Sequence, residues 1–216
     1  YVVLNRMSNL SGGIAHAAYG GVGLAYFFGF DPLLGGVLFS LGAALSMNLV
    51  QRHTRQRADT LIGVMWAVGM AVGVVFIDRS PGYKADLMSF LFGSLLAVSS
   101  YELVLIAILD VVILITVAAL YRQLLAISFD ETFATVRGVP VTAISLILTA
   151  LIALTVVMLM RVVGLILVIA LLTLPASIAA LFARQVRTMM ALAAALGMAC
   201  TFSGLWLAYT YNLTSG

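Results

Sequence analysis

The chain has 216 residues, of which 63% are hydrophobic and only 9% charged; its net charge is +3 and its mean hydropathy +1.17. A soluble domain carries about 25% charged residues, so this chain has too little polar surface to face water, and its solvent is lipid. The small positive charge reflects membrane orientation and gives no reason to invoke nucleic acid, and the single cysteine, Cys200, excludes an intrachain disulfide or a cysteine metal cluster.

The apolar runs are continuous rather than alternating, which points to helices and away from a barrel. The expected fold is all-α: a polytopic integral membrane helical bundle, one transmembrane domain over 1–216. Spans of about 20 apolar residues are predicted near 10–30, 32–50, 60–78, 103–121, 141–160, 162–182 and 188–209. The opening residues Tyr1 to Leu4 read as the tail of an earlier apolar segment. The first two spans and the GxxxG of Gly69 and Gly73 in the third are rich in small residues, the signature of closely packed membrane helices. Residues 88–98 (MSFLFGSLLAV) are too short to cross and read as re-entrant or interfacial.

Alternate threading places Arg6, Arg52, Arg55, Arg57, Arg122, Arg137, Arg184 and Arg187 on one side, and Arg79, Lys84 and Arg161 on the other. The positive-inside rule makes the first side cytoplasmic. The loop 78–87 and the tail 212–216 then lie outside.

Residues 122–140 (RQLLAISFDETFATVRGVP) are longer and more polar than a turn between spans requires. Ser128 and Glu131 have capping-box spacing, which predicts the start of a short helix, with Asp130 and Glu131 in its first turn. Phe129, Phe133 and Val136 form a short apolar face, and Gly138 and Pro140 end the helix. Such a helix, over 128–138, is either interfacial or a docking helix for a soluble partner; its two acids disfavour anionic lipid.

Several segments together resemble the transmembrane permease subunit of ABC transporters for zinc, manganese or iron. They are 2–16 (VVLNRMSNLSGGIAH), 59–63 (DTLIG), Asp86 with 91–98 (LFGSLLAV), 128–138 (SFDETFATVRG), 163–179 (VGLILVIALLTLPASIA) and the closing Ser215-Gly216. They occur in that family's order and cover nearly the whole chain, which resembles a member lacking its first and last spans. The resemblance implies a second permease subunit, a copy or a paralogue, and two ATP-binding subunits docked from the cytoplasm. It also implies an extracytoplasmic metal-binding protein that delivers the ion, in the plasma membrane of a prokaryote. Residues 128–138 would be the coupling helix, with Phe129, Asp130, Glu131, Phe133, Ala134 and Gly138 facing the ATPase. The sequence has no GxxxxGK[ST] motif, so ATP belongs to the partner subunit and this chain is a translocation subunit rather than an enzyme.

Ionisable residues inside spans are functional candidates. His16 suits zinc, manganese or iron. The family motif has an acid four residues before this histidine, on the same helix face; here that position is Gly12. Asp110 lies mid-run in 105–116 (LIAILDVVILIT), as an ion ligand or an interhelical hydrogen bonder. Asp59 opens the third span, as an N-cap paired with Arg55 or Arg57 or as part of the ion exit. Asp78, Asp86 and Glu102 are read as solvated loop charges or an acidic mouth, His53 as solvated, and the ten methionines as packing residues. Pro175 is expected to kink the sixth span and free the carbonyl of Leu171, with a gating role as one use of that kink.

The expected function is ATP-driven import of a divalent metal, zinc in the first place, or manganese or iron, by alternating access. No covalently held cofactor is expected. The alternatives are an ion-gradient-driven transporter, with His16 and Asp110 as coupling groups, and a non-transport membrane scaffold.

Overall fold

The computed structural model describes residues 1–5, 7–54, 58–80, 93 and 98–211, without the side chains of Ser8 and Ala58. The described residues form seven helices and the connections between them. These are α1 Ser8–Phe28, α2 Pro32–Thr54, α3 Ala58–Arg79, α4 Ser100–Phe129, α5 Glu131–Val136, α6 Val141–Phe182 and α7 Val186–Tyr211. The fold is that of a polytopic helical membrane protein. The short apolar piece 88–98, apart from Gly93 and Val98, lies outside the described residues, as do the tail 212–216 and the loop residues beyond Ser80.

Five helices are long and apolar enough to cross a bilayer: α2, α3 (from Asp59), α4, α6 and α7. The exception among the predicted spans is α1, and burial explains why. Leu10, Ser11, Ile14, Ala15, Ala17, Ala18, Tyr19, Val22 and Ala25 are all buried, so this helix meets neighbouring helices rather than lipid. Small residues serve it better there than large apolar ones.

The helix ends follow local chemistry. Gly29, at φ 74°, ends α1, and its amide and that of Phe30 both donate to the Ala25 carbonyl. Asp31 caps α2 through bonds from the Leu33 and Leu34 amides at 2.7 and 3.2 Å, with Pro32 at the first helical position. Ser99 and Glu102 make a reciprocal capping box at the start of α4. Glu102 is therefore a helix cap.

The chain divides into two compact units. The first holds Asn9–Ala85 and Ser99–Met158. Within it α1 and α3 run parallel at a constant offset. Asn9 meets Asp59, Gly13 meets Ile62, His16 meets Trp66, and Gly20 meets Gly69. A side chain on Gly69 would meet the His16 carbonyl at 2.6 Å, and one on Gly23 would meet the Gly73 carbonyl at 2.5 Å. The GxxxG of α3 is thus a backbone-to-backbone seam with α1. The turn 29–31 folds α2 antiparallel onto α1, with Gly21 against Gly35.

The second unit holds Val2–Ser8, Asp86–Val98 and Leu159–Gly216. Here α6 is interrupted at Gly164, where φ is 81° and ψ 164°. Two stretches were predicted to be separated near Arg161; α6 is indeed two helical stretches, and the break between them lies three residues later, at Gly164. A helix of 42 residues without a break would be about 60 Å long at 1.5 Å per residue, twice the hydrocarbon thickness. Gly93, also at positive φ, packs against the Gly164 backbone, leaving no room for a side chain. Pro175 lies in the second stretch of α6, which continues to Phe182.

Candidate functional site

His16 sits half-buried on α1. Its Nδ1 lies 2.7 Å from the carbonyl oxygen of Gly12. A carbonyl only accepts, so Nδ1 carries the proton, and the neutral tautomer compatible with this bond has its lone pair on Nε2. This is the arrangement that histidine ligands of metals commonly adopt, one ring nitrogen orienting the other. The ring also stacks on Trp66 of α3, with centroids 4.6 Å apart and planes 24° from parallel. The same indole covers Gly12, where an added Cβ would meet Trp66 Cζ2 at 3.0 Å. An aromatic wall from α3 therefore stands over Gly12.

The three predicted ion-path residues are not brought together. Asp59 lies inside the first turn of α3, not at its cap, and accepts from Asn9 Nδ2 at 3.4 Å. Asn9 and His16 are seven residues apart on α1, about 10 Å along the axis. Asp59 is thus on the same pair of helices as His16 but about two turns away. Asp110 is exposed on α4, whose one buried residue is Leu124, and it has no hydrogen-bond partner among the described residues. The interhelical bond read as one of its two uses is not present among the described residues. Among the described residues no three His, Cys, Asp or Glu side chains cluster as a metal site.

The short helix predicted between the spans exists, as α5. Its start differs from expectation: Asp130 is the N-cap, with extended backbone and a carboxylate that accepts from the Phe133 amide at 2.9 Å. Ser128 belongs to the last turn of α4, where its hydroxyl donates to the Leu124 carbonyl at 2.7 Å. That back-bond removes Ser128 from capping duty. Ala134 is fully buried and seats the helix, while Phe129, Phe133 and Val136 are 70, 53 and 83% exposed. The Arg137 guanidinium stands over the Phe133 ring at 5.1 Å. Gly138, at φ 77°, reverses the chain toward Pro140.

A polar chain that the sequence reading did not anticipate begins at α5. Glu131 Oε1 accepts from Arg52 Nη1 at 2.7 Å. Arg52 Nε donates to Asn48 Oδ1 at 3.2 Å. Asn48 Nδ2 then donates to Ser145 Oγ at 2.9 Å and Thr149 Oγ1 at 2.8 Å. Asn48 and Arg52 are four apart on α2, and Ser145 and Thr149 four apart on α6, so each pair shares a helix face. An asparagine inside an apolar span was the available signal.

The sequence matches the ABC 3 transport family over residues 1–216. The chain belongs to that family. This permease is 56% identical over 216 residues to an uncharacterised membrane protein of Synechocystis, covering 100% of this chain and 77% of that protein. It is 32% identical over 216 residues to the manganese transport system membrane protein MntC of Listeria monocytogenes, with 100% and 77% covered. Its fold matches the solved structure of PsaBC from Streptococcus pneumoniae in complex with Fab at a TM-score of 0.86, with 32% identity over 100% of this chain and 77% of that one. The permease is a multi-pass protein of a prokaryotic plasma membrane.

Proposed function

We propose that this chain is the membrane-spanning subunit of an importer for manganese or zinc, driven by ATP hydrolysis on a separate subunit that docks on α5. The observation that carries this reading is α5 itself. It is a six-residue helix between α4 and α6, held by Ala134 and presenting Phe133 and Val136 outward, beside the exposed Phe129 that ends α4. An apolar patch with Asp130 and Glu131 beside it suits a groove on a soluble protein better than anionic headgroups. Family membership and the manganese named in the Listeria relative support the class of cargo.

In this reading the chain crosses the membrane seven times, counting α1 and both stretches of α6, with α5 on the cytoplasmic side. The ion passes His16, whose Nε2 is the ligand atom. With Gly12 in place of an acid, other ligands come from another helix or from a second permease subunit. Asp59 lies toward the cytoplasmic exit, and the Pro175 region of α6 is a candidate gate. An extracytoplasmic binding protein delivers the ion, and the permease itself makes and breaks no covalent bond.

The test is reconstitution of the full-length permease with its ATPase in liposomes, followed by manganese and zinc uptake with and without ATP. Uptake of either ion only with ATP is expected. Uptake that proceeds without ATP or the ATPase, driven by an ion gradient, overturns the reading.

A further inference from the structure

We infer that the chain of bonds from Glu131 through Arg52 and Asn48 to Ser145 and Thr149 carries movement of α5 into α2 and α6; this rests on the reading of α5 as the docking helix. The connectivity supports it. The backbone joins α5 to α4 on one side and to α6 on the other, through Asp130 and the Gly138 turn. It does not join α5 to α2. Arg52, in the last turn of α2, makes that link by binding Glu131 in the first turn of α5.

An ion pair as exposed as this one, 26 and 57% at its two side chains, contributes little by itself. What distinguishes it is how the arginine is held. Nη1 faces Glu131 while Nε is fixed by Asn48 Oδ1, so the planar fork is oriented from both ends. Asn48 is buried, and its amide nitrogen donates to two buried hydroxyls on α6. Asn48, Ser145 and Thr149 are all buried and have little water to fall back on, so these bonds hold together or fail together. A displacement of Glu131 therefore pulls on α2 and α6 at once. Arg52 and Asn48 are positioning residues, placed away from the ion path and from the exposed face of α5.

The experiment measures manganese uptake per ATP hydrolysed by the full-length permease reconstituted with its ATPase. The variants are R52A, N48L, the double variant and N48D, which keeps an acceptor for Arg52 and replaces the amide donor with a second acceptor to which both hydroxyls can donate. R52A and N48L are each expected to lower uptake per ATP about tenfold, within the usual range for coupling between sites. The ATPase co-purifies as with wild type, the double variant is no worse than either single one, and N48D stays near wild type. Unchanged uptake per ATP in R52A, or losses that multiply in the double variant, overturns the inference. If R52A is not recovered from membranes, equal behaviour of N48L and N48D overturns it. Wild-type protein without ATP-dependent uptake overturns the reading of α5 as well, whereas coupled wild type with unaffected variants overturns only the role of this network.

Discussion

The imidazole of His16 lies against the indole of Trp66, 4.6 Å between ring centroids, on two parallel helices that keep the same register from Asn9 beside Asp59 to Gly20 beside Gly69. The stack fixes the ring plane, and the Gly12 carbonyl fixes its tautomer. Together they leave Nε2 as the ring nitrogen not engaged by that carbonyl.

That contact makes Trp66 a reporter. The sequence has two tryptophans, so W206F leaves Trp66 alone. Manganese, being paramagnetic, is expected to lower the emission of this single-tryptophan protein, and H16A is expected to abolish the response. Emission that ignores manganese, or that responds equally in H16A, contradicts a ligand role for His16.

The glycine seam gives a sharp contrast between sites. Gly69 has the His16 carbonyl and the Ala17 backbone within 2.6 to 2.9 Å of where a side chain would start. G69V is therefore expected to destabilise the protein by about 1–3 kcal/mol or more, as overpacking does. Gly42 and Gly63 have open space around them, so G42A and G63A are expected to be neutral or slightly stabilising through helix propensity. Thermal unfolding in detergent ranks the three. Similar losses at all of them contradict the seam.

Gly164 has a backbone conformation that is essentially confined to glycine. G164A is expected to cost about 1–3 kcal/mol, read as a lowered Tm. A Tm equal to wild type contradicts the break in α6.

Much of this was legible in the sequence because lipid imposes a simple rule: long apolar runs become helices. The short helix α5 was legible for a different reason, since Asp130, Glu131 and Gly138 punctuate a polar stretch. Its start was misplaced by two residues, because the Ser128 hydroxyl bonds back to Leu124 and lets α4 run on to Phe129. The capping spacing was present, but the hydroxyl is engaged within α4 instead. The His16–Trp66 stack and the Asn48 bonds to α6 join residues far apart in sequence, 97 and 101 positions for the latter. Such pairings arise from helix packing, and no local pattern announces them. Arg52 was counted only toward membrane sidedness, although its position four residues after Asn48 placed both on one face.

Asp110 sits exposed on α4 among Ile108, Val111 and Val112. A carboxylate at mid-span costs roughly 2.5–3.5 kcal/mol on insertion scales. D110L is therefore expected to raise the Tm of the isolated permease. A lowered Tm would show that the carboxylate serves as a structural partner after all.

A motor gripping α5 is what separates a driven importer from a carrier. The most direct measurement places a photo-crosslinking residue at Val136, which is 83% exposed, in the full-length permease co-expressed with its ATPase. Irradiation is expected to join the two chains at Val136 and not at Phe202, an exposed residue of α7. An ATPase that assembles with the permease yet never crosslinks at Val136 contradicts α5 as the point of contact.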